Sequence, residues 1–202
     1  MDAAFRDLPS DPHPDGRRRA VSGDGAPVEL AILIGLQGSG KTTFYRRHLA
    51  CTHAHVSKDL FGRSARRKQQ RQLRQIAEHL RAGRSVAVDN TNPSPVEWTP
   101  LIVLGREHGA RITGYWFPPD LQASMRRNAA RPGRDRVPDV GVLATLERLR
   151  EPRYSDGFDE LRVVRADGAG GFTVTVKGEE RDKQKHEEKH EEEDAGDAPA
   201  RP

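Results

Sequence analysis

Cysteine is almost missing from this chain of 202 residues: Cys51 stands alone. One thiol excludes an internal disulfide framework and fits a reducing compartment. With no activating base beside it, Cys51 reads as a small buried residue after a first helix rather than as a nucleophile. Long apolar runs are also lacking. No stretch approaches the roughly 20 residues of a membrane span, and the polar start has no signal-peptide core. A cytoplasmic protein without a membrane segment is the expectation. Hydrophobic residues make up 34% and mean hydropathy is -0.81, low for a compact domain throughout. Part of the chain therefore lies outside any core.

Charge is present in quantity but unevenly placed. The net charge is +4, yet residues 177–194 carry five Lys/Arg against nine Asp/Glu. The preceding residues are correspondingly basic, which suits a polyanionic substrate such as a nucleotide or a nucleic acid. Residues 1–27, rich in Pro, Asp, Gly and Arg, read as a disordered leader, and 178–202 as a charged disordered or helical tail whose partner is unknown. The domain then spans 28–177.

Within it, Gly35-Leu36-Gln37-Gly38-Ser39-Gly40-Lys41-Thr42 has the spacing G-x-x-x-x-G-K-T, the phosphate-binding P-loop pattern. Glycines let such a loop turn its N–H groups inward around phosphate oxygens. Gln37, Ser39 and Thr43 join the glycines as expected ATP contacts. Lys41 would reach the β- and γ-phosphates, and the Thr42 hydroxyl would hold Mg²⁺. The flanks agree: Val28–Ile34 is an apolar strand and Thr42–Ala50 a helix.

Strand and helix then alternate. Strands are predicted at His53–Ser57, Ser85–Val88, Arg111–Phe117 and Leu161–Val164, with an edge strand at Phe172–Val176. Helices are predicted over Ser64–Ala82, with Leu73, Ile76, Ala77 and Leu80 inward, and from Pro95 to His108, with Trp98, Leu101, Ile102 and Gly105 on one face. Two more run from Asp120 to Ala130, burying Leu121, Met125 and Ala129, and through Val142, Leu143, Leu146 and Leu149. The alternation implies a mostly parallel sheet with helices on both faces, a P-loop NTPase fold with ligands at the carboxyl ends of the strands.

That rule brings three further signals to the loop. Asp59 ends the second strand, where a carboxylate would take the proton of an attacking hydroxyl. Its alternatives are a helix cap or a partner for Arg63. Asp89 ends an apolar strand as a metal-site carboxylate does. The residue after it is Asn90, not the Glu that hydrolysing ATPases use, which favours transfer to a hydroxyl. Turn formation by Asp89-Asn90-Thr91-Asn92-Pro93 is the alternative there. Arg126, Arg127, Arg131, Arg134 and Arg136 follow the fourth strand as an arginine-rich lid or an exposed basic loop.

Taken together, Gly35–Thr42, Val56-Ser57-Lys58-Asp59, Asp89-Asn90-Thr91-Asn92-Pro93 and Arg127-Asn128-x-x-Arg131 with Val137-Pro138 resemble the kinase domain of the polynucleotide 5′-kinase family over about residues 28–160. The resemblance implies an ATP- and Mg²⁺-dependent kinase that phosphorylates the 5′-OH of a DNA or RNA end. It implies Asp59 as general base, Lys41, Arg127 and Arg131 on phosphates, and Asp89, Asn92 and Arg63 on the acceptor side. The phage member of that family has an arginine three residues after its base, where this chain has Gly62, with Arg63 the nearest replacement. The D-x-D-x-T pattern of the phosphatase that often accompanies such kinases does not occur. A small-molecule kinase and a non-catalytic ATP-binding protein are the competing readings. A GTPase switch lacks its N-K-x-D motif here.

Overall fold

The structure is a computed structural model, and it describes residues 27–62 and 65–178. The leader, most of the charged tail, and Arg63 with Ser64 lie outside the described residues.

β1 (Glu29–Ile34) is the apolar run before the P-loop, and all its residues after Glu29 are buried. It sits mid-sheet because β-branched and leucine side chains on both faces need cover on both sides. β2 (His53–Val56), β3 (Ser85–Asp89), β4 (Arg111–Trp116) and β5 (Glu160–Ala166) run parallel with it, and β6 (Phe172–Val176) adds an antiparallel edge. The order is β2-β3-β1-β4-β5-β6. The chain leaves β1, skips one place to β2, returns to β3, and crosses to β4 on the far side. The loops after β1, β2 and β3 therefore meet at one end of the sheet, the switch point where such folds bind ligands.

Alternate residues of each strand build two cores. Leu30, Ile32, Ile34, Val86, Val88 and Ile112 face α2 (Lys68–Arg81) and α3 (Pro95–Glu107), packing with Ile76, Leu80, Trp98 and Leu101. Each fully buried large side chain of this kind contributes about 1.5–3 kcal/mol. On the other face Ala31, Leu33, Tyr115 and Phe117 meet Phe44, Tyr45 and Leu49. These belong to α1 (Lys41–Phe44) and the π-helical turn Tyr45–Leu49 that continues it. Trp98, Leu101, Ile102 and Gly105 are the buried residues of α3, as the sequence predicts, and Gly83 closes α2 at φ +66.

Three expectations need correction. Cys51 is exposed, because the π-helical turn spends its inward positions on Tyr45 and Leu49. α2 begins at Lys68, after Arg67 in a left-handed conformation, so the predicted start is four residues early. It also buries Gln72, while Leu73 is only partly covered. In α4 (Leu121–Ala129) the buried residues are Ser124 and Asn128 rather than Leu121, Met125 and Ala129. That helix packs on the P-loop backbone, which admits only small or hydrogen-bonding side chains.

Candidate active site

A cleft of about 220 Å³ opens at the carboxyl end of the sheet. Gln37, Gly38, Gly40, Lys41, Thr42 and Thr43 line it together with Asp59, Asp89, Asn90, Thr91, Arg127 and Arg131. Residues from 37 to 131 are thus brought to one place by four separate loops or helices.

The P-loop holds its shape through glycine. Gly38 has φ +75, and a Cβ there would stand 2.5 Å from the Ser124 carbonyl oxygen in α4. Gly40 has φ +101, with the Phe172 ring 3.2 Å from where a Cβ would sit. Any other residue would be strained at both positions and would clash at the first. Gly35 and Ser39 shape the loop without lining the cleft: the Gly35 N–H donates to Thr91 O at 2.9 Å, and the Gly35 carbonyl accepts from Lys41.

Lys41 lies folded against its own loop. Its Nζ donates to Gly35 O at 2.9 Å, Leu36 O at 2.5 Å and Ser39 Oγ at 3.2 Å. Burial pushes its pKa down to about 8, opposed by the Asp89 charge. A buried ammonium held only by neutral carbonyls and a hydroxyl gains from an approaching anion, which is what a phosphate-binding lysine requires.

Asp89 is nearly fully buried at the end of β3, and its Oδ2 meets His55 Nε2 of the neighbouring β2 at 3.1 Å. The His55 ring stacks on Tyr45 with centroids 4.2 Å apart. A carboxylate fixed on one oxygen keeps the other for the cleft. Thr42 and Asp89, a hydroxyl and a carboxylate, both line that cleft and form an oxygen donor set of the kind Mg²⁺ prefers.

Asp59 sits in a 3-10 turn, Lys58–Leu60, whose cap is Ser57: the Asp59 N–H donates to Ser57 Oγ at 3.2 Å. The capping alternative for Asp59 therefore falls to its neighbour, and the Asp59 side chain lines the cleft. Asn90 holds this turn in place. Its Oδ1 accepts from the Lys58 N–H at 2.8 Å and from Ser57 Oγ at 3.4 Å. Sequence reasoning left Asn90 and Thr91 out of the site, although both lie inside the segment Asp89–Pro93. The polar residue following a strand-end aspartate was the available signal.

Asn92 is placed differently from the acceptor side. It is 2% exposed at φ +41, and its Nδ2 donates to Leu33 O at 2.8 Å. It ties β3 to β1 under the cleft floor. Turn formation and site formation are thus the same event in Asp89–Pro93.

Arg127 and Arg131 of the arginine group line the cleft. Arg127 donates through Nε to Gly38 O at 2.7 Å, and Arg131 lines the opening. Arg136 pairs with Asp139 at 3.7 Å. The loop between α4 and α5 (Asp139–Arg148) is stapled by buried Asn128, which donates to Val137 O at 2.7 Å and accepts from Val137 N at 3.1 Å. α5 reaches the P-loop through Thr145, whose Oγ1 accepts from Gln37 Nε2 at 2.9 Å. Among the described residues no helix is long and apolar enough to cross a membrane.

Comparison with known proteins bears on the fold and the family. Residues 30–153, over half of the chain, match the family described as an AAA domain. A protein of Acanthamoeba polyphaga mimivirus, assigned by name as a bifunctional polynucleotide phosphatase/kinase, is 24% identical over 143 residues. The match covers 67% of this chain and 33% of that protein, so the chain spans about a third of its relative's length. A fungal RNA kinase superposes with a TM-score of 0.55 at 17% identity, covering 71% of this chain and 40% of the kinase. Chaetomium thermophilum Kti12 in complex with ADP-AlF3 gives a TM-score of 0.55 at 15% identity, over 68% of this chain and 89% of Kti12. The resemblance to P-loop polynucleotide kinase-like proteins read from the motifs accords with these matches.

Proposed function

The chain belongs to the AAA domain family, and from that premise we propose that it is an ATP-dependent kinase acting on a hydroxyl, the 5′-OH of a nucleic-acid end. The observation that carries this reading is the meeting of Lys41, Thr42, Asp89, Asp59, Arg127 and Arg131 around one cleft. On this reading Lys41, Thr42, Arg127 and Arg131 serve the donor and Asp59 the acceptor within that cleft.

In the reaction proposed, the Asp59 carboxylate accepts the proton of the acceptor hydroxyl. The hydroxyl oxygen bonds to the γ-phosphorus while the bond to the β-bridging oxygen breaks, and ADP leaves with that electron pair. Lys41 turns from its loop carbonyls to the phosphates. Arg127 and Arg131 neutralise charge on the transferring group, as arginine forks do, and their loop serves as a lid. Thr42 and Asp89 would hold Mg²⁺, which supplies charge neutralisation on the phosphates when bound. Asn90 keeps Asp59 at the cleft, and His55 keeps Asp89 turned toward it.

The nucleic-acid acceptor draws support from the basic body of the chain and from the mimivirus and fungal kinases named above. The test is an acceptor screen with ATP labelled in its γ-phosphate, using 5′-OH oligonucleotides of DNA and RNA beside sugars and other small alcohols. Label on oligonucleotide ends is the expected result. Label only on a small alcohol would make this a small-molecule kinase, and label on nothing would reject kinase activity toward these acceptors.

A further inference from the structure

The positive charge of the domain is not spread evenly over its helices. α2 carries Lys68, Arg71, Arg74 and Arg81 against Glu78 alone, and Arg66 and Arg67 precede it. α3 and α5 each hold two carboxylates against one arginine. Arg66, Arg67, Arg71 and Arg74 are all exposed. Among the described residues Arg66, Arg67, Lys68 and Arg71 form no ion pair, and Arg74 meets Glu78 only at 3.9 Å with both side chains mostly in water. Such a pair neutralises little.

Placement gives this charge a direction. The Arg71 guanidinium lies 5.1 Å over the Phe61 ring, and Phe61 is two residues beyond Asp59. The first turns of α2 therefore stand beside the turn that carries Asp59, while the helix runs away from it for about 20 Å. Between the two, Leu60 is 64% exposed and offers apolar surface to a base. Cations in a row, paired among the described residues only through the solvent-exposed Arg74–Glu78 contact and leading away from the cleft, match the repeating charge of a phosphodiester chain.

We propose that Arg66, Arg67, Arg71 and Arg74 form a track for the backbone of a single-stranded nucleic acid whose 5′ end enters the cleft at Asp59. The track rests on the kinase reading for where the strand ends, and on charge and placement for whether it binds. It makes the acceptor the end of a strand several nucleotides long, with grip on phosphates beyond the terminal nucleoside and little dependence on base sequence.

The test measures binding of short 3′-labelled single strands, DNA and RNA, to the full chain without ATP, by fluorescence anisotropy over a range of salt. Arg66→Gln/Arg67→Gln/Arg71→Gln/Arg74→Gln is expected to weaken binding by about tenfold or more and to lower the log–log salt slope by about 3, from four contacts at about 0.7 each. Arg81→Gln/Arg84→Gln, at and just beyond the far end of that helix, is expected to change little, and ATP affinity should hold in both variants. An unchanged slope, equal losses in the two variants, or no binding by the unaltered chain overturns the track. Strand binding that depends on these arginines without transfer to any end would reject the kinase reading and leave the track standing. Transfer to strand ends with a KM indifferent to the four substitutions would do the reverse.

Discussion

Lys41 shows how a single side chain carries information about its ligand. Burial holds its pKa at about 8, below the ordinary 10.5. The folded chain thus binds fewer protons than the unfolded one between those values, so this group's cost to stability is full below about pH 8 and fades as pH rises toward 10.5. An anionic phosphate reverses the shift. ATP binding near pH 8.5 is therefore expected to take up protons, and affinity to fall as pH climbs above about 8. Calorimetry in buffers of different ionisation enthalpy measures the uptake; a proton count of zero there would contradict it. Asn90 holds the turn that carries Asp59, and His55 meets the Asp89 carboxylate. Asn90→Ala removes the acceptor that holds the Lys58 N–H, and turnover should fall about tenfold with ATP affinity little changed, since one hydrogen bond is worth about 0.5–1.5 kcal/mol. His55→Ala should lower turnover similarly, and His55→Gln, which retains a donor toward Asp89, should restore part of it. Equal activity in both His55 variants would show that the contact with Asp89 is incidental. The sequence made Lys41, Asp59 and Asp89 legible because motif spacing and strand ends mark them. It did not mark Asn90 or His55, whose roles depend on β2 lying beside β3.

At the level of elements, the unit that matters is α4, its arginine loop and α5. Apolar periodicity failed for α4, since Leu121, Met125 and Ala129 suggested a greasy face where Ser124 and Asn128 are buried. A helix lying on a phosphate loop packs against backbone, and the usual hydrophobic signal is absent there. What remained legible was the spacing of Asn128 and Val137, whose two hydrogen bonds close the loop carrying Arg131. Asn128→Ala would leave the Val137 N–H and carbonyl without those partners, at a cost of about 1–3 kcal/mol. The melting temperature should fall by about 5 °C, and the KM for ATP should rise as Arg131 loses its fixed place. A variant with unaltered melting temperature and KM would show that the staple does not hold the loop. α2 taught the opposite lesson: its apolar stripe at Ile76, Ala77 and Leu80 read correctly, but its start did not, because Arg67 in a left-handed conformation delays the helix to Lys68.

For the whole molecule, the parallel sheet was legible because the central strands β1 and β3 are apolar runs, as burial on both faces demands, and strands alternate with helices along the chain. The strand order β2-β3-β1-β4-β5-β6 follows no local signal and rests on the crossovers. With that order in place, Gly38, Lys41, Thr42, Asp59 and Asp89 share one cleft, and the central claim is that Asp59 serves there as the base for phosphate transfer from ATP. The most direct measurement is single-turnover transfer of γ-labelled phosphate to a 5′-OH oligonucleotide by the unaltered chain and by Asp59→Asn, with ATP affinity measured alongside. The expected result is a loss of about 10²–10⁴-fold in the transfer rate with ATP binding intact. Transfer by Asp59→Asn at the unaltered rate would contradict the claim.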